Sequence, residues 1–205
     1  MDENRMSAFA VAQEERLRDS RVIAGRRLVW GEGSARCALC LIGEAPGRQE
    51  AEQGRPFVGK AGENLNEFLR AAGLRREDLW ITNTVKVRPA KVSEKGTVSN
   101  RPPNAEELAL FLPLLAEELR LLRPPLVVTL GNTALRALMG RDASIGAVHG
   151  RAVQCPMLEA PLFPLYHPAS VIYNQALKEV YQSDLQRLKA YLEAHEPEGR
   201  NCLCD

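Results

Sequence analysis

No apolar run in this 205-residue chain approaches the roughly 20 residues that a membrane-spanning helix needs. The opening Met1-Asp2-Glu3-Asn4-Arg5 lacks the charged-then-apolar layout of a secretion signal, so a cytoplasmic address is expected. Net charge is nearly absent. With 27 Lys and Arg against 26 Asp and Glu, bulk charge gives no argument for a polyanionic partner. Five cysteines are an odd and small number, which speaks against a disulfide framework. Cys37 and Cys40 form a C-x-x-C, but the surrounding Arg36-Cys37-Ala38-Leu39-Cys40-Leu41-Ile42 reads as a buried strand. A free thiol behaves there as a small hydrophobe. Cys155, Cys202 and Cys204 add no ligand spacing, and no metal site is expected.

An apolar share of 45% with 26% charged residues is the composition of a globular protein. The length suits a single domain over 1–205, with a helical arm over about 1–25 and a flexible tail over about 196–205. The charge is unevenly spread. Between Arg48 and Arg101 there are 11 Lys or Arg and 7 Asp or Glu, which permits a DNA-binding edge without requiring one.

Helical spacing is expected from about Ser7 to Asp19, from Gly62 to Ala72, and from the Asn104 cap to about Leu122. It recurs after Gly131 through Leu138 and from about Gln175 to Leu192. Apolar runs at Cys37–Ile42, Leu79–Thr82, Pro125–Leu130 and Pro161–Tyr166 read as strands, and Ala90–Asn100 as an exposed loop. This alternation predicts an α/β three-layer sandwich: a central, mainly parallel four-stranded sheet with helices on both faces. Right-handed crossovers place the post-strand loops along one edge, where sites in such sheets form. The segments meeting there are Gly43–Gly47, Thr82–Asn83, Gly131–Asn132 and His167–Ser170.

Gly43-Glu44-Ala45-Pro46-Gly47 is not a phosphate loop, because no Gly-Lys-Ser/Thr closes it. It sets one carboxylate directly after a buried strand, between glycines that allow close backbone approach. Further along come Gly54-Arg55-Pro56-Phe57-Val58-Gly59-Lys60-Ala61-Gly62, Thr82-Asn83, Asn100-Arg101-Pro102-Pro103 and His167-Pro168-Ala169-Ser170. On pattern alone Phe57 also suits a core position, Asn83 a strand end and His167 a turn.

The ordered set, running from about Leu28 to Leu192, resembles the uracil-DNA glycosylase superfamily, and its family 4 enzymes most of all. The resemblance implies hydrolysis of a base from DNA, leaving an abasic site for base-excision repair. The base must be extruded from the duplex into a fitted pocket. It further implies that Asn83 reads the base edge and Phe57 stacks on the ring, with the Ala45 backbone alongside. His167 would donate to the oxyanion that develops on the base, while Glu44 and Glu50 order water or favour the cationic sugar. Which carboxylate matters more stays open. DNA contact falls to Lys60, Lys86, Arg88, Asn100 and Arg101. Ser170, Val171 and Ile172 would carry a wedge into the duplex. Val171–Tyr173 suits burial in a helix turn equally well. His149 and His195 match nothing in the family and are assigned to surface or structure.

One departure stands out. Family 4 enzymes hold a four-iron, four-sulfur cluster on four cysteines, a C-x-x-C before the first strand and two later residues. Here the first region reads Asp19-Ser20-Arg21-Val22-Ile23-Ala24, and the later positions fall at Val87 and near Phe111. No cofactor is therefore expected, and packing alone should hold the N-terminal region. A monomer acting on damaged DNA is the expected enzyme. The alternatives are a glycosylase for another deaminated or oxidised base, a non-catalytic DNA-binding member of the fold, and, more distantly, a nucleoside or nucleotide hydrolase.

Overall fold

The computed structural model describes residues 3–174 and 176–195. The expected tail, with Cys202 and Cys204, lies outside the described residues. The chain runs through α1 (Glu3–Leu17), β1 (Glu32–Gly33), β2 (Cys40–Gly43), α2 (Arg48–Gln53), α3 (Lys60–Ala71) and β3 (Trp80–Asn83). A hairpin of β4 (Ala90–Val92) and β5 (Val98–Asn100) precedes α4 (Ala105–Leu122). Then follow β6 (Val127–Leu130), α5 (Gly131–Met139), α6 (Ile145–Val148), β7 (Leu162–Leu165), α7 (Pro168–Tyr173) and α8 (Ala176–Ala194).

The sheet order is β1-β3-β2-β6-β7. Its four main strands are parallel, in the register Cys40↔Trp80, Cys40↔Val127 and Val127↔Leu162. To the expected four strands the structure adds β1, a two-residue antiparallel edge. All four parallel strands are buried along their length, because helices cover both faces. Alternation sorts their side chains. Leu41, Ile81, Val128 and Phe163 pack with Leu65 and Leu69 of α3 and Tyr181 and Leu185 of α8. Cys40, Ile42, Val127 and Leu162 pack with Leu119 of α4 and Leu135 of α5 on the other side.

Among the parallel strands the chain starts at β2, steps to β3 on one side, and then crosses to β6 on the other. The strand order thus reverses between β2 and β6, and a ligand crevice is expected above that point. The Asn104 cap forms as the sequence predicts: its side chain accepts from Glu107 N–H at 2.8 Å, and Glu107 accepts from Asn104 N–H at 2.9 Å. Glu107 also receives Arg101 at 2.7 and 2.8 Å and Arg26 at 2.6 Å, tying the arm and the hairpin root to α4. Burial works against its charge, but these donors win and hold the carboxyl at about 2.

Candidate active site

β2, β3, β6 and β7 each end at one cavity of about 790 Å³, within the usual range for ligand pockets. Glu44 and Ala45 reach it from the loop after β2, Asn83 from the last position of β3, Gly131 to Thr133 from β6, and His167 from β7. Phe57, Glu50, Lys60, Asn100, Arg101 and Ser170 complete its walls. The residues read from the sequence as base-binding or catalytic therefore converge on one place.

Asn83 is 2% exposed, yet its side-chain amide makes no hydrogen bond among the described residues. The amide is a donor–acceptor pair on the cavity wall. Gly43 explains how it fits. A Cβ at that position would lie 2.5 Å from both Asn83 Oδ1 and Phe57 Cζ, so only glycine lets the amide and the ring close over the end of β2.

Phe57 belongs both to the core and to the cavity wall. Its φ of 51° is left-handed, a conformation costing roughly 1–2 kcal/mol for a side chain with a Cβ. Arg76 holds it there by donating to the carbonyls of Pro56 at 2.7 Å and Phe57 at 3.2 Å. From the other side the backbone of Gly62 approaches so closely that any Cβ would overlap the Phe57 carbonyl. The ring ends up 6.0 Å from that of His167, the planes inclined by 28°.

His167 Nδ1 accepts from Ala169 N–H at 3.1 Å. With Nδ1 an acceptor, the neutral ring carries its proton on Nε2 as a donor. Desolvation lowers its pKa to about 4, against the opposing pull of the Glu50 carboxylate. The ring is thus neutral at physiological pH. The two carboxylates have different partners. Glu50 is buried, with Oε1 accepting from Gly59 N–H at 2.8 Å, which pins the loop that carries Phe57. Glu44 is half-buried, and its Oε2 accepts from the Thr133 hydroxyl, joining the loop after β2 to the first turn of α5 across the strand-order reversal.

Residues 30–191 match the family model described as the uracil DNA glycosylase superfamily. The chain belongs to that superfamily. It is similar to a type-4 uracil-DNA glycosylase of Pyrobaculum aerophilum, at 41% identity over 78% of this chain and 81% of the relative. A type-4 uracil-DNA glycosylase of Archaeoglobus fulgidus is 35% identical over 77% of this chain and 78% of the relative. Among solved structures, SMUG2 of Pedobacter heparinus is similar with a TM-score of 0.48, at 15% identity over 78% of this chain and 76% of that one.

Two of the residues assigned to DNA by the superfamily resemblance sit elsewhere. Lys86 is fully buried, donating to Thr82 Oγ1 at 2.6 Å, to the Asn83 carbonyl at 2.8 Å and to Glu118 Oε2 at 2.6 Å. It cannot reach a phosphate; it holds the end of β3 from beneath. Val171 packs into the core under α8 and is no exposed wedge. The side chain of Ile172 lies outside the described residues. Arg101 reaches the cavity wall with its guanidinium engaged by Glu107, and Arg88 Nε donates to Asn100 Oδ1 at 2.7 Å. Lys60 is exposed at the start of α3, and half-buried Ser170 lines the rim.

Sequence reading missed a second cleft, of about 470 Å³, which shares Arg48 with the first and is also lined by Arg26, Arg27 and Arg88. These arginines come from three separate segments of the chain, and only the fold gathers them. His149, assigned to structure, pairs with buried Asp184 at 2.7 Å behind Tyr166.

The positions implied for cluster cysteines come together, as hydrocarbon. Val22, Ile23, Val87 and Phe111 share one apolar cluster with Leu17, Val85 and Leu114. These side chains offer no thiolate and do not fit an iron–sulfur cluster. Among the described residues no group of three or more His, Cys, Asp or Glu is arranged to hold a metal ion. No described helix is long and apolar enough to cross a membrane.

Proposed function

We propose that this chain hydrolyses the N-glycosidic bond of deoxyuridine in DNA, releasing uracil and leaving an abasic site for base-excision repair. The carrying observation is that Asn83, Phe57 and His167 line the same cavity, with His167 Nδ1 accepting from Ala169 N–H so that its Nε2 is left to donate. The Asn83 amide offers a donor and an acceptor to the uracil edge, and Phe57 covers the flipped ring. As the bond to C1′ breaks, its electron pair moves onto the base. The Nε2–H of His167 then donates to the developing oxyanion without having to surrender a proton. Water adds to C1′ of the cationic sugar and passes its proton to solvent through the carboxylate that orients it.

That carboxylate is Glu44, which is half-buried in the cavity and held by Thr133. Glu50 serves chiefly to fix the Phe57 loop and to add negative charge. Catalysis proceeds without a cofactor, because the positions of the cluster ligands are apolar. We further propose that the enzyme acts as a monomer in the cytoplasm, which light scattering and cell fractionation test.

The experiment is release of free base from single- and double-stranded oligonucleotides carrying uracil, hypoxanthine or an oxidised pyrimidine. Uracil release at catalytic enzyme supports the proposal. Release of a different base reassigns the pocket, and no release at stoichiometric enzyme overturns it.

A further inference from the structure

The segment expected as a loop over Ala90–Asn100 is a two-stranded ribbon rooted in the rim of the cavity. Its register is Ala90↔Asn100, Lys91↔Ser99 and Val92↔Val98. The tip closes on three residues: Ser93 N–H and Thr97 O are 2.9 Å apart, and Gly96 has φ of 76°. Every residue from Lys91 to Asn100 is exposed, so the ribbon has no core to fold upon. Its shape is fixed at the root instead. Arg88 grips Asn100, and Arg101 donates to the Ala90 carbonyl at 3.2 Å while paired with Glu107.

Two exposed valines on such a ribbon call for a reason. Val92 and Val98 are 69% and 51% exposed, and they sit directly opposite one another. Side chains alternate along a strand, so both project from the face that carries Asn100, which lines the cavity. The valine pair therefore extends the cavity wall outward on its own side. Lys91 projects from the other face and Lys95 stands at the tip, while Glu94 is the sole acid between Arg88 and Arg101. Meanwhile Val171, on which the family resemblance placed the duplex wedge, is packed in the core.

We infer that the β4–β5 ribbon is a duplex-engaging element: the Val92–Val98 pair packs against the base step beside the extruded nucleotide, and Lys91 and Lys95 contact flanking phosphates. The inference rests on the proposed glycosylase reading. Apolar side chains set against a base step help to hold it unstacked, a role that a duplex substrate needs and a single strand does not. Phosphate contacts add affinity that falls with salt. The ribbon is continuous with the cavity through Asn100 and Arg101, and with the arginine-lined cleft through Arg88 and Ala90.

The test uses the full chain, V92S/V98S and K91Q/K95Q, all exposed positions whose thermal unfolding should match the parent. Single-turnover uracil release is measured on the same oligonucleotide, single-stranded and in a duplex. V92S/V98S is expected to lose about tenfold on the duplex and less than about twofold on the single strand. K91Q/K95Q should reduce the salt slope for binding a duplex with an abasic-site analogue by about 2, roughly one phosphate per lysine. Equal losses on both substrates, or no loss, together with an unchanged slope, overturn the inference. A parent chain that releases no uracil from either substrate overturns the glycosylase reading itself. An active parent with unaltered variants overturns the ribbon's role alone.

Discussion

Asn83 carries its free amide at the end of β3, while its carbonyl is held from below by Lys86 Nζ. The Asn83→Ala chain should lose at least about 100-fold in uracil release, since a site built to hydrogen-bond its substrate depends on that pairing. Binding to abasic-analogue DNA should remain within a few-fold of the parent; anisotropy titration beside a single-turnover assay checks both. His167 supplies the second prediction. Its folded pKa of about 4 lies below the ordinary 6.5 because burial disfavours the imidazolium. The ring therefore stays neutral as pH falls from 7 towards 4, and release governed by it should hold until pH nears 4. Because the unfolded chain binds this proton more readily, stability from His167 is full above about 6.5 and is lost as pH falls towards 4. His167→Ala should cost about 100- to 1000-fold in rate, as removal of an oxyanion donor does. At this scale the sequence showed which residue types converge, because Asn83 and His167 directly follow apolar strands. It did not show which way a lysine three positions further on would turn. Lys86 is two positions before Arg88 in sequence, but its partner Glu118 is on α4, and only tertiary packing reveals the buried pair.

The elements around the cavity hold Phe57 in a backbone conformation it would not choose. Gly62, in the first turn of α3, permits this by passing its bare Cα under the Phe57 carbonyl. Gly62→Ala should shift that backbone and reduce release by more than about tenfold, although alanine raises helix propensity by about 1 kcal/mol. Unchanged kinetics with raised stability would show that α3 can move freely. The root of the ribbon gives a pH-dependent counterpart. The Glu107 pKa is depressed to about 2, so its contribution is full above about 4.5 and is lost as pH falls from there towards 2. Glu107→Gln should lower stability at neutral pH and flatten the acid limb of the unfolding profile, as read by circular dichroism. Long elements were legible because their periodicity reports burial. α4, with its Asn104 cap and apolar face, matches expectation to its last residue, Leu122. The ribbon, β1 and α2 were not, because short exposed strands and a six-residue helix bury too little to leave a pattern.

Taken as a whole molecule, the sandwich places its site where the strand order reverses and braces its N-terminal arm on an apolar cluster. The three-layer arrangement follows from four apolar runs alternating with amphipathic helices. The cluster that fills the cysteine positions was legible only as missing ligands, since Leu17, Val87 and Phe111 are far apart in sequence. Packing should now do what metal thiolates would do. Phe111→Ala should cost about 3–5 kcal/mol by urea unfolding, while chelators leave the transition unmoved. The decisive measurement is release of free uracil from a uracil-containing oligonucleotide by purified protein of measured iron content, with a chelator present throughout. Multiple turnovers are expected from protein holding no stoichiometric iron, and their loss in Asn83→Ala. Uracil release that tracks bound iron and vanishes on chelation, or no release from any substrate, would contradict this expectation.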